Sequence, residues 1–162
     1  MIIGIDPGLD GAIAILTAQG VELFDTPTVT VKKAGGKGTT REYDVSAMRV
    51  ILDGRQNHMV VIEKSQAFPD QGAVSNFSTG HGYGLWRGLI VGLGLGYEAV
   101  SPRTWKKAMG LDSDKKRSIL LAKQLFPATA DQYRLPKGRV DSLDGRAEAL
   151  LMAEWMRRRL ST

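Results

Sequence analysis

The sequence predicts an α/β domain built on a mixed five-stranded sheet, and three observations carry that expectation. Three short apolar runs open the chain at residues 1–6, 11–17 and 20–25, and the tight turns Pro7-Gly8 and Gln19-Gly20 separate them. Two more strand-length runs, 58–63 and 97–100, are spaced by stretches long enough for helices. The last third carries helical periodicity with no further strand signal.

In chain order, the first three runs form an antiparallel meander, since connections of a few residues cannot cross over to a parallel neighbour. The segment Lys32 to Thr40 is Gly-rich, basic and without periodicity, so a flexible basic loop or arm is expected over about 32–41. Asp44 or Ser46 caps a helix running to about Gly54. After the 58–63 strand comes a Gly-rich helix over 72–95, whose glycines allow close approach of another backbone, within the domain or across a dimer. Ser101-Pro102 leads from the last strand into a short helix around 104–109. Ser113 or Asp114 opens a helix ending near Phe126-Pro127, and 128–139 is a basic loop. A final helix spans about Ser142 to Arg159. Three strands, helix, strand, helix, strand, then helices is the order of an RNase H-like domain, with helices on both faces of the sheet.

At 162 residues with 43% hydrophobic content, the chain is expected to form a single domain over 1–162. With no cysteine, disulfides and thiolate metal sites are excluded, which leaves oxygen ligands, His58 and His81 for any metal. No stretch approaches the roughly 20 apolar residues of a membrane span, and no signal-type segment opens the chain, so a cytoplasmic protein without membrane partners is expected. The net charge of +5 is unevenly spread. Residues 1–100 carry 8 basic and 10 acidic side chains, and residues 101–162 carry 14 and 7. The C-terminal part therefore suits a polyanion such as nucleic acid.

Against that basic background, five acids stand out. Asp6 ends the buried run Ile2-Ile3-Gly4-Ile5, and Glu63 ends Met59-Val60-Val61-Ile62. A carboxylate at the end of a core strand is poor packing material, because burying it unpaired costs several kcal/mol by rough estimate. On the last helix Asp141, Asp144 and Glu148 share one face beside the apolar stripe Leu143, Ala147, Leu150 and Leu151. Asp141 also suits a helix N-terminus, and Glu148 alone also suits a solvated helix edge. Phosphodiester hydrolysis uses such a set. Paired divalent ions, roughly 3.5–4 Å apart, activate water and neutralise charge on the phosphate, and carboxylates hold them. Mg²⁺, with Mn²⁺ as substitute, is the expected cofactor, two ions per site.

The segments Ile3-Gly4-Ile5-Asp6-Pro7-Gly8, Val61-Ile62-Glu63-Lys64-Ser65 and Asp141-Ser142-Leu143-Asp144-Gly145-Arg146-Ala147-Glu148-Ala149-Leu150-Leu151 resemble, in order and spacing, the motifs of RuvC-type Holliday junction resolvases. The variant looks closer to phage-type members. The resemblance covers nearly the whole chain. It implies an RNase H-like fold, a homodimer, and Mg²⁺-dependent paired nicks in branched DNA, in a bacterial cell or phage-infected host. It carries Asp6, Glu63 and Asp144 over as catalytic metal ligands. The fourth ligand stays open between two positions. The three-residue spacing selects Asp141, whereas the match of Ala147-Glu148-Ala149-Leu150 to the family's acid-Ala-Leu segment selects Glu148.

The resemblance also implies phosphate contacts from one of Lys106-Lys107 and one of Lys115-Lys116, with Lys137 and Arg139 of the basic loop as further DNA contacts. Phe68, in the loop after Glu63, is a candidate for stacking on an unpaired junction base. Phe77, Trp86 and Trp105 read as core or interface. The run Gly80-His81-Gly82-Tyr83-Gly84 lacks the preceding strand of a dinucleotide loop, so no nucleotide cofactor is expected. Besides junction resolution, the sequence leaves open an RNase H-like nuclease on RNA–DNA hybrids or flaps, and a non-catalytic junction-binding protein.

Overall fold

β1 (Ile2–Asp6) sits at the centre of a five-stranded sheet and is covered on both faces, which explains its unbroken apolar run. The computed structural model describes residues 1–67, 69–70, 72–133 and 143–161. β2 (Ala12–Leu16) pairs antiparallel with β1, and β3 (Val21–Asp25) antiparallel with β2. A separate two-stranded ribbon, β4 (Thr28–Lys32) with β5 (Thr39–Tyr43), follows. After α1 (Val45–Leu52), β6 (Met59–Glu63) returns parallel to β1. α2 (Ala73–Gly92) then carries the chain to β7 (Gly96–Val100), parallel to β6. The sheet order is β3-β2-β1-β6-β7. The remaining elements are α3 (Pro102–Ala108), α4 (Lys115–Leu125), a 3₁₀ helix (Pro127–Tyr133) and α5 (Asp144–Leu160).

Side-chain alternation along the strands builds two cores, one on each face. Ile3, Ile5, Ile13, Ile15, Val60 and Ile62 point toward α1 and α2 with Met48, Leu52, Trp86 and Ile90. Ile2, Ala14, Leu16 and Val61 point toward α5 with Leu150, Leu151 and Trp105. The small residues on the second face decide how close α5 comes. A Cβ at Gly4 would overlap the Ala149 carbonyl, so only glycine at this strand position lets the helix backbone lie directly on β1.

The expected meander, crossover helices and final helix are all found. The basic segment differs from expectation. Residues 28–32 and 39–43 pair as a ribbon, and only 33–38 remain as its turn, with Gly35, Gly36 and Gly38 at positive φ. Thr28-Val29-Thr30-Val31 does alternate as a strand should, but Thr39–Tyr43 does not, and both strands lie off the sheet and are largely exposed. Its base is anchored by Tyr43, which donates its hydroxyl to the Pro7 carbonyl at 3.3 Å, and by Arg41, 2.5 Å from Asp10.

Candidate active site

Alternation and register bring the first two acids together. Gly4 and Val61 face α5, so Asp6 and Glu63, two residues further along each strand, face the same way. Ile5 pairs with Ile62, which leaves Asp6 and Glu63 side by side at the strand ends. α5 begins there with Asp144, and one helical turn later places Glu148 on the same face. Both helix acids are buried, at 8% and 7% exposure, so Glu148 is no solvated edge. Gly145 makes the approach possible: a Cβ there would stand 2.8 Å from the Asp10 carbonyl and 3.2 Å from Asp6 Oδ2.

Four carboxylates in one desolvated mouth repel one another. Burial, reinforced by the charges of Glu63, Glu148 and Asp144, pushes Asp6 up to about 7, against the lowering effect of the Gly8 N–H. Burial also pushes Glu63 up. The Trp105 hydrogen bond opposes that shift, Glu148 adds to it, and Lys106 and Lys115 oppose it. Lys106 Nζ lies 2.7 Å from Glu148 Oε1, which also accepts from Ser118 Oγ at 3.2 Å. Lys115 Nζ lies 2.6 Å from Asp144 Oδ2, and that bond raises the lysine above its ordinary value. Among the described residues, no three acidic or histidine side chains stand ready around a single ion position. Two ammonium groups lie among the acids instead.

Of the remaining residues singled out in the sequence, Lys107 and Lys116 are exposed on α3 and α4 beside Lys106 and Lys115, which pair with the helix acids. Asp141, Phe68, Lys137 and Arg139 lie outside the described residues. Trp105 is fully buried, as a core residue should be, yet its Nε1–H donates to Glu63 Oε2 at 2.8 Å. The sequence marks it as core or interface and gives no sign of a bond to an acid. Arg146 was also missed: it grips Asp25 at 2.6 and 2.7 Å and donates to the Gln132 carbonyl at 2.9 Å, tying the start of α5 to β3 and the 3₁₀ helix. A small cleft of about 210 Å³ opens beside the acids, lined by Asp6, Pro7, Gly8, Glu63, Lys64, Ser65, Gln66, Thr79 and Pro102.

Solved structures with this arrangement of elements share one architecture. The RuvC of Thermus thermophilus in complex with Holliday junction substrate superposes with a TM-score of 0.58, covering 98% of this chain and 94% of that one at 15% identity. The chain has the RuvC-type, RNase H-like fold. The yeast mitochondrial Holliday junction resolvase has the same RuvC-type fold, at a TM-score of 0.54 and 17% identity over 98% of this chain and 78% of that one. The fowlpox virus resolvase, solved with Holliday junction DNA, gives 0.51 at 15% identity with full coverage of both chains (100%). In sequence, a chloroplastic Holliday junction resolvase of Chlamydomonas reinhardtii is 32% identical over 96 residues, 58% of this chain. The matched region spans only 10% of that relative's length. No protein-family model matches the chain.

Proposed function

We propose that this protein is a structure-selective, metal-dependent endodeoxyribonuclease that resolves four-way DNA junctions by paired nicks. The observation that carries the reading is the convergence of Asp6, Glu63, Asp144 and Glu148 from two strand ends and one helix into a single buried mouth on a RuvC-type fold. The names of the structural and sequence neighbours, all junction resolvases, support the same activity.

The donor set fits hard divalent cations such as Mg²⁺ or Mn²⁺. It offers only carboxylate oxygens, and Asp6, pushed up by burial and further by the neighbouring carboxylates Glu63, Glu148 and Asp144, is a group whose ionised form a cation would favour. Asp6, Glu63, Asp144 and Glu148 would hold the ions, with Glu148 rather than Asp141 as the fourth ligand. Bound there, the metal supplies activation of water and neutralisation of charge developing on the phosphate.

The chain's own residues do the remainder. Lys106 and Lys115 pair with Glu148 and Asp144, and in the DNA complex their ammonium groups would turn to the phosphate oxygens flanking the cut. Lys107 and Lys116, exposed on the same helices, extend that positive surface along the backbone. Lys32, Lys33 and Lys37 at the exposed end of the β4–β5 ribbon add to it. Phe68, as a ring for stacking on an unpaired junction base, and Lys137 and Arg139, as further DNA contacts, keep the roles read from the sequence.

Two cuts of matching polarity require two sites related by a twofold axis, so the active species is a homodimer. α2 offers the surface. Gly80, Gly84, Gly88 and Gly92 recur every fourth residue with open space where a Cβ would stand, and Phe77 and Val91 on the same side are exposed. A shallow apolar groove of about 410 Å³ runs along this face between Val45 and Leu89. No helix among the described residues is long and apolar enough to cross a membrane. Cytoplasmic DNA, of a bacterial cell or of an infecting phage, is the setting in which such a substrate occurs.

The deciding experiment compares a labelled synthetic four-way junction with a linear duplex and an RNA–DNA hybrid, with Mg²⁺, with EDTA, and with Asp144→Asn. Paired, ligatable nicks confined to the junction, abolished by EDTA and by the substitution, are expected. Cleavage of the hybrid instead would keep the fold and refute the function. Tight junction binding without cleavage under any condition would make the protein a structural binder.

A further inference from the structure

The Glu63 carboxylate is held from an unexpected direction. Trp105 is fully buried in the core beneath α5, and its one polar atom donates to Glu63 Oε2 at 2.8 Å. The backbone follows the same path: Glu63 stands opposite Val100 across β6 and β7, and Lys64 N–H donates to the Val100 carbonyl at 2.7 Å. Ser101 then caps α3, with Pro102 in its first turn, so Trp105 is fixed only five residues beyond the strand that pairs with Glu63. Lys106, the next residue, sets its ammonium 5.3 Å from the Trp105 ring centroid and 2.7 Å from Glu148.

We propose that Trp105 is a positioning residue for Glu63, its indole N–H locking the carboxylate in one orientation so that the β6 acid is preorganised for a divalent cation. A glutamate at a strand end has three rotatable side-chain bonds, and ordering them costs conformational entropy that a fixed donor removes in advance of metal binding. An indole N–H is suited to supplying that order, because it donates only, carries no charge to compete with the cation, and sits on a rigid ring wedged in the core. Lysine in the same place would hold the carboxylate more tightly and oppose the metal. α3 thus holds two acids through adjacent residues of different character, a neutral donor for Glu63 and a cation for Glu148.

The role given to Glu63 rests on the nuclease reading, while the bond itself stands on geometry, and the test separates the two. Trp105→Phe keeps the ring packing and removes the donor. Calorimetric titration with Mn²⁺ is expected to show affinity weakened by about ten- to a hundredfold in this variant. The metal concentration for half-maximal junction cleavage should rise while cleavage at saturating metal is largely retained. In ¹⁵N-labelled protein the Trp105 indole resonance, identified by its loss in Trp105→Phe, is expected to move in Glu63→Ala. Unchanged Mn²⁺ affinity in a folded Trp105→Phe protein, or an indole resonance indifferent to Glu63→Ala, would overturn the proposal. If Trp105→Phe fails to fold, the Glu63→Ala comparison decides, each of the three tryptophan indoles being assigned by sequential backbone experiments. Absence of any Mn²⁺ binding by the unaltered protein would refute the nuclease reading, and the indole measurement would then decide the Trp105 bond by itself.

Discussion

Lys106 from α3 and Glu148 from α5 form an ion pair in which both side chains are nearly out of water, at 15% and 9% exposure. Lys115 and Asp144 form a second pair one turn earlier on α5, but Lys115 keeps 66% of its side chain in solvent. The pairs differ on the lysine side, since both carboxylates are buried. Breaking the pair that is out of water at both ends should cost about 3 kcal/mol, whereas the pair whose lysine stays hydrated is already weakened by solvent and should cost about 1 kcal/mol. Thermal melts in EDTA should therefore show Lys106→Met unfolding about 6–12 °C below the parent and Lys115→Met within a few degrees of it. Adding Mn²⁺ should recover part of the Lys106→Met loss, since a cation at the acids replaces the missing charge. Equal losses in the two variants would contradict this division.

Asp6 makes the metal-free protein sensitive to pH in the direction opposite to most carboxylates. Its folded value of about 7 lies above the ordinary 3.8, so between those values the folded state binds the extra proton. The contribution is fully favourable below about pH 4, falls as pH rises, and is lost above about pH 7, with an upper limit of about 4 kcal/mol. Glu63 is shifted in the same direction and adds to the slope. Metal-free protein should melt at a higher temperature at pH 5 than at pH 8, and Asp6→Asn should flatten that dependence while stabilising the protein at pH 8. Stability that rises from pH 5 to pH 8 in EDTA, and rises less in Asp6→Asn, would contradict the assignment.

What could be read in the sequence, and what could not, follows from the range of the interactions. The strand-end placement of Asp6 and Glu63 was legible because an apolar run followed by Pro-Gly, or by polar residues, is a local signal. The side-by-side pairing follows from a parallel register that the core enforces. Spacing alone could not choose between Asp141 and Glu148, since a regular helix drawn through the sequence would put either on one face with Asp144. The burial of Glu148 against Lys106 and Ser118 depends on contacts 42 and 30 residues away. The β4–β5 ribbon was hidden for a different reason. Thr28-Val29-Thr30-Val31 carries the β-branched alternation of a strand, but its partner Thr39–Tyr43 does not, and Lys-Lys-Ala-Gly-Gly-Lys-Gly between them has the composition of a loop. Nor does any local pattern announce that Trp105 serves Glu63, or that Arg146 reaches Asp25 across 121 positions.

That last contact gives a third prediction. Arg146 lies two residues after Asp144, and its bidentate grip on Asp25 with the bond to Gln132 fixes where α5 begins. Asp25 is half exposed, so the stability lost in Arg146→Leu should be modest, about 1 kcal/mol. The effect on chemistry should be larger, because a shift of the helix start by about 1 Å displaces two of the four acids and can cost on the order of a hundredfold in rate. Junction cleavage assayed beside a thermal melt checks the split. A loss of rate no greater than the small loss of stability explains would show that Arg146 is only a surface staple.

The open glycine face of α2 yields a fourth prediction with opposed effects. Gly84 and Gly88 lie within a helix with nothing where a Cβ would stand, so alanine at both should stabilise the isolated subunit by roughly 1 kcal/mol per site. If a second copy packs its backbone against this stripe, the same two methyl groups hold the helices apart. Gly84→Ala/Gly88→Ala should then shift sedimentation from dimer toward monomer even as the melt of the dilute protein moves upward. The effect on cleavage should follow, with single nicks accumulating at the expense of paired ones, because each active site remains intact while its symmetry mate is lost. An unchanged dimer in sedimentation, together with the expected rise in melting temperature, would place the subunit interface on another face.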